Sequence, residues 1–129
     1  MEKETTLDLI CAEYGDKFSK AKDIDETLIT KIVGILKEDG VYAFFLYLAS
    51  KGLTNAQGVA FQLMRDGRIP EHVTGNDSDP LKAIRDSLSG NLDLLLFFKE
   101  LLERTLVYAR YHAKASDKQK TPRVEGDGE

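Results

Sequence analysis

Residues 40–52 read GVYAFFLYLASKG, and how this stretch folds decides the class of the whole domain. Its apolar residues cover nearly the full circumference, so a buried strand and a buried helix both have a claim on it. Ala43, Leu46, Leu48 and Ala49 form helix more readily than strand. The run then closes on Lys51-Gly52, a basic residue followed by the residue that most easily turns left-handed at a helix end. We expect a helix over 41–49, packed among other helices at the centre of a bundle, with Phe45 and Leu46 in its core.

The sequence on either side repeats with a helical period. Upstream, Asp25 can accept the free amides of a first turn, and Ile24 and Ile29 occupy the positions of a hydrophobic staple. Leu28, Ile29, Ile32, Val33, Ile35 and Leu36 form the stripe of that helix, and Gly40 ends it. Further back, Leu7, Ile10, Cys11, Tyr14 and Phe18 mark a first helix over about 6–20, capped by Thr5 or Thr6. Downstream, a fourth helix starts at Thr54 or Asn55, carries Ala56, Val59, Ala60, Leu63 and Met64, and closes at Gly67. Residues 68–79, with Pro70, Gly75 and NDSD, read as the longest internal loop. Asp79-Pro80 is a cap followed by the imino acid suited to the first helical position, opening a short helix through Leu81, Ile84 and Leu88 to Gly90. The last helix spans about 91–115. No segment alternates with period two. The expectation is an all-α fold, a compact bundle of about six helices in one domain over 1–116, with 117–129 as a flexible polar tail.

A chain of 129 residues with 42% hydrophobic content suffices for one domain and one core. A net charge of −4 and a pI near 5.2 argue against indiscriminate binding to duplex nucleic acid. No apolar run approaches the roughly 20 residues that cross a bilayer, and MEKETTLDLICAEYG lacks the cationic start of a signal peptide, so a cytoplasmic protein with no membrane partner is expected. Cys11 is the only cysteine, which excludes an internal disulfide and a cysteine-built zinc site. Its place on an apolar stripe suggests a buried structural thiol.

Catalytic patterns are missing. His72 and His112 lie far apart, with no second histidine at helical spacing to share a metal; His112 reads as a solvent-facing or interface residue. Gly40, Gly52, Gly67 and Gly90 all fall at helix ends, and none belongs to a phosphate-cradling fingerprint. The carboxylates of Asp23, Asp25 and Glu26 read as caps and solvated faces. We therefore expect no enzyme, no metal and no cofactor.

What remains is an uneven distribution of charge. Between Arg104 and Val124 stand six basic residues (Arg104, Arg110, Lys114, Lys118, Lys120, Arg123) against Asp117 alone, whereas 1–103 holds twelve basic residues against eighteen acids. Arg104, Tyr108, Tyr111 and Ala115 share one helical face, with Arg110 and Lys114 on the adjoining one. Such a surface can meet phosphates with its charges and bases with its rings. The plainer reading packs both tyrosines on the bundle and leaves the cations to solvate the helix end and complement its dipole. Lys37 and Lys51 at helix ends, with Arg65 and Arg68 beyond, form a second basic group.

Two stretches carry a family resemblance. Residues 36–51, LKEDGVYAFFLYLASK, lie near the form G-L-x-x-x-L-A-F-L-x-x-K through Gly40, Phe44, Leu46, Leu48 and Lys51. Residues 103–115, ERTLVYARYHAKA, lie near E-A-x-x-L-x-W-L-(K/R)-R-F-A-x-A through Glu103, Leu106, Tyr108, Arg110, Ala113 and Ala115, with Tyr108 at the Trp position. In both the chain resembles the small all-helical subunit of type III-B CRISPR effectors, the Cmr complexes. The resemblance implies a non-catalytic subunit that stacks along the effector filament with copies of itself and other subunits. There it would support crRNA and target RNA in antiviral defence, through backbone and shape contacts while base pairing reads sequence. The RNA-contact candidates are then Arg104, Arg110, Lys114, Lys118, Lys120 and Lys51. The competing expectation is a helical adaptor that binds protein and has no nucleic-acid role.

Overall fold

Asp25 does what its position predicts: its Oδ1 accepts from the Leu28 amide at 2.8 Å, and α2 (Glu26–Asp39) follows. The computed structural model describes residues 2–75, 77–88 and 90–120, with side chains over 6–116 among them. The remaining helices are α1 (Glu2–Ser19), α3 (Val41–Ser50), α4 (Thr54–Met64), α5 (Pro80–Leu88) and α6 (Leu92–Lys120). The described residues contain no strand, so the domain is all-α. The stretch that could have been strand is helix α3, and Gly40 and Gly52 flank it with φ of 97° and 68°. Asp79 and Asn91 cap α5 and α6, through the amides of Leu81 and Leu94.

Some boundaries and glycines differ from expectation. α1 begins at Glu2 rather than near Thr6, since Glu and Lys extend a helix readily. α6 runs on to Lys120, past Ala115, because nothing between them breaks a helix. Residues 121–129 of the expected tail lie outside the described residues. Gly67 is not left-handed. The turn after α4 is instead held by Asp66, whose Oδ1 takes the Arg68 amide at 2.9 Å.

α1 and α6 form the main pair. The Cys11 thiol points at the Leu101 carbonyl, Gly15 lies against Thr105 and Ala109, and Asp16 lies beside His112, so the two helices run in the same direction. α2 packs on the other flank of α6, running the opposite way: Glu26 meets Lys114, and Lys37 lies near Glu100 and Arg104. α3 packs against α2, α4, α5 and α6. Its Phe44 and Phe45 rings meet edge to face, and Phe45 continues to Phe61 of α4. Phe44, Phe45 and Leu48 are wholly buried, but Leu46 is 48% exposed. An all-round apolar sequence conceals which way the helix is rotated, and here the Leu46 side faces outward.

α4 lacks a cap of its own, since Leu53 has no side-chain acceptor. Asp23, in the turn between α1 and α2, supplies it from 32 residues away, accepting from Asn55 N at 2.9 Å and Ala56 N at 3.2 Å.

Unfolding measurements on three variants check this packing. Phe45→Ala should cost about 3–5 kcal/mol and Leu46→Ala under about 1 kcal/mol, as measured by urea unfolding. Equal losses would contradict the rotation of α3. Gly15→Ala should destabilise by about 1–3 kcal/mol, because its methyl would meet Tyr108 Cβ and the α6 backbone at Ala109 and Thr105, none of them the far end of a flexible side chain; a stabilised variant would mean the two helices are not so close.

Candidate nucleic-acid interface

Rotation of α6 is set by the residues it buries. Phe98, Leu102, Thr105, Leu106 and Ala109 are buried, which turns Val107, Tyr111 and Lys114 to the outside. The two tyrosines expected to share a surface therefore separate. Tyr108 lies over α1 and donates its hydroxyl to Asp8 Oδ2 at 2.7 Å, a bond that pushes the phenol's pKa up. Tyr111 is 67% exposed. Of the two rings, only Tyr111 is free to stack on anything outside the protein.

Arg104 and Lys37 come together along a groove of about 540 Å³ between α6, α2 and α1. Asp8, Glu100 and Glu103 line the same groove, so its charge is mixed and it does not suit a chain of phosphates. Beyond Val107 the balance changes. Arg110 is exposed and makes no hydrogen bond or ion pair with a described residue. Lys114 Nζ is 3.6 Å from Glu26 Oε2, an exposed pair that a phosphate could displace at little cost. His112 is 3.7 Å from Asp16 through Nδ1. The side chains of Lys118 and Lys120 lie outside the described residues. Lys51 is elsewhere: its Nζ sits 5.8 Å from the centre of the Tyr47 ring, which Lys31 also approaches, and no hydrogen bond or ion pair links it to the α6 cations.

Arg65 and Arg68 are spent inside the fold. Arg65 donates to the carbonyls of Asp77 and Gly75, drawing these two loop residues to its guanidinium. Arg68 binds Asp66 at 2.7 Å and both oxygens of Glu13, and Asp66 also takes the Tyr14 hydroxyl at 2.8 Å. The Arg68 guanidinium holds the Asp66 carboxyl well below the usual carboxylate range and lowers Glu13 as well. Burial, with Asp66 behind it, pushes Tyr14 up to about 12. This network joins the loop to α1. Cys11 is buried and its thiol is raised by that burial, which suits a structural group. His72 is tied to its own turn, with Nδ1 2.9 Å from the Ile69 carbonyl. Among the described residues no three His, Cys, Asp or Glu side chains converge on a possible metal position, and no helix is long and apolar enough to cross a membrane.

The structure also assembles a basic surface that sequence reading missed. Lys17 and Lys20 at the end of α1, with Lys22 just beyond, face Thr54, Asn55, Gly58 and Gln62 of α4 across a groove of about 530 Å³. These residues are some 40 positions apart in the chain, and the Asp23 cap brings them together. Only its three closely spaced lysines are visible in sequence.

No protein-family model, curated protein or solved structure matches the chain.

The Asp66 network generates a pH prediction. A carboxylate whose folded pKa is depressed contributes stability that is present above its unfolded value, near 4, and lost as pH falls through the folded value. Urea midpoints should therefore decline below about pH 4. Asp66→Asn should lower stability at neutral pH and lose less than the wild type between neutral and acid. An Asp66→Asn variant with an undiminished acid loss would remove Asp66 as the cause.

Proposed function

We propose that this protein is a non-catalytic small subunit of a type III-B CRISPR RNA-guided effector complex, stacked along the filament beside crRNA and target RNA. The observation that carries the reading is the exposed end of α6, where Arg110 and Lys114 flank an exposed Tyr111. Phosphates pair with the cations without regard to sequence, and an exposed ring adds stacking on an unpaired base. The six-helix all-α bundle is the architecture that the family resemblance implies. The partners in this reading are the other effector subunits, further copies of this chain, crRNA and target RNA, in the cytoplasm.

One observation favours the adaptor reading. Leu92, Leu96 and Val107 lie on the outward side of α6 and are 68%, 49% and 49% exposed. A row of this kind suits a protein contact. The two readings can share one helix, with protein along its first half and RNA at its end. The adaptor reading stands alone only if the cations do nothing.

Replacing Arg110 and Lys114 together by Glu separates them. Both side chains are exposed, so circular dichroism should be unchanged. Target RNA retention by the assembled complex should weaken. Its log K against log salt slope should flatten by about 0.7–0.9 for every phosphate that a copy no longer neutralises. Unchanged affinity and slope in a variant that still assembles would transfer the reading to the adaptor.

A further inference from the structure

The groove between the end of α1 and the start of α4 has a composition that the α6 groove lacks: three lysines and no carboxylate among its lining residues. Lys22 makes no ion pair or hydrogen bond with a described residue. Lys17 stands over the Tyr14 ring at 4.4 Å, and Lys20 reaches Asp16 at 3.0 Å with its side chain 73% exposed. The neighbouring acid, Asp23, is engaged with both oxygens on the amides of Asn55 and Ala56. Its charge is directed at the helix end and not at the opening.

The opposite wall is unusual for a helix. Asn55, Gly58 and Gln62 lie on one exposed face of α4, giving two amide side chains with a gap between them. Apart from proline, glycine is the poorest residue for a helix interior. Nothing in the fold requires it here, since an added Cβ at Gly58 would meet no atom within 4 Å. Its effect is to leave the floor of the groove bare, so that another backbone can approach the helix closely.

We propose that this groove seats the sugar-phosphate backbone of single-stranded RNA, with Lys17, Lys20 and Lys22 on successive phosphates and the amides of Asn55 and Gln62 on ribose hydroxyls. RNA is favoured over an acidic protein because the donors are lysine point charges and amides, with no arginine fork among the lining residues to grip a carboxylate. An amide can both donate to and accept from a 2′-hydroxyl, which distinguishes RNA from DNA. The proposal rests on the reading of the chain as an RNA-bound subunit and adds a second contact surface to it. That surface lies at the same end of the bundle as Lys114, because α1 and α6 run together.

The test is an amide chemical-shift titration of the 15N-labelled full-length protein with an oligouridylate of about 12 nucleotides at low salt. Gly58, Asn55 and Lys20 should shift. Gly58→Glu, which has room for its side chain and gains helix propensity, should stay folded and lose those shifts. A DNA oligomer of the same length should move them less. Shifts confined to the end of α6 would overturn the groove and leave the proposed function standing. Groove shifts with a silent α6 end would support the groove and overturn the α6 assignment. No shift anywhere, or groove shifts with a polyglutamate peptide and none with RNA, would overturn the proposal.

Discussion

α1 and α6 approach each other closely at Gly15. A Cβ placed there would stand 2.5 Å from Tyr108 Cβ and 2.9 Å from both Ala109 N and Thr105 O, distances no side chain could occupy. The seam around it is made of small groups, Cys11 and Gly15 on α1 and Thr105 and Ala109 on α6, all fully buried or nearly so. Thr105 can lie there because its hydroxyl is satisfied within its own helix, on the Leu101 carbonyl at 2.8 Å. Tyr108 is too large for the seam and lies across α1 to reach Asp8. With that ring committed, the rotation of α6 is settled, and Val107, Tyr111 and Lys114 are turned outward. The exposed surface at the end of α6 thus follows from a missing side chain on α1.

An acidic chain can present basic surfaces because several of its acids are occupied within the fold. Asp23, Asp25 and Asp79 accept from the first turns of α4, α2 and α5, where a carboxylate is favoured by free amides and by the helix dipole. Asp66 and Glu13 hold Arg68 against α1. Net charge of −4 therefore describes the composition and not any one face. These five acids sit at structural positions where they are fixed and partly neutralised, and several lysines remain on exposed helix ends. The same division explains why Arg65 and Arg68, which look available in sequence, are not: their guanidinium forks serve carbonyls and carboxylates of the fold.

Features legible in the sequence were those set by neighbours along the chain. The helical period, the Asp25 and Asp79 caps and the glycines at 40, 52 and 90 depend on a few adjacent residues, and the structure has them where they were expected. Features set by tertiary packing were not legible. Nothing near Gly15 distinguishes it from any other mid-helix glycine. Asp23 reads in sequence as a cap or a solvated acid, with no sign that the amides it caps belong to Asn55 and Ala56. Leu46 looked buried because its helix is apolar all round, and only packing reveals the side left over. Tyr108 and Tyr111, three residues apart, share one helical face in sequence, but the Gly15 seam falls so that one ring turns in and the other out. The groove of Lys17, Lys20 and Lys22 was invisible for the same reason, its second wall being contributed by α4.

The scale of these surfaces bears on how they can work. The α1–α4 groove offers three lysines and the end of α6 offers Arg110 and Lys114 among its described cations. Five phosphates at most would be neutralised by these groups, and Lys20 and Lys114 must first leave a carboxylate. With about 0.7 counterions released per phosphate of a single strand, so few contacts give weak binding with a shallow dependence on salt. One copy alone is then a poor RNA-binding protein. Copies held in a row by their partners would face the same strand repeatedly, and each further contact would form at a high effective concentration. In the proposed effector, weak, sequence-blind contacts would suit that arrangement, because affinity would come from the number of copies while base pairing would decide what is bound. The exposed leucines of α6 bear on the same requirement: such a subunit needs protein contacts to set its spacing before its lysines can matter.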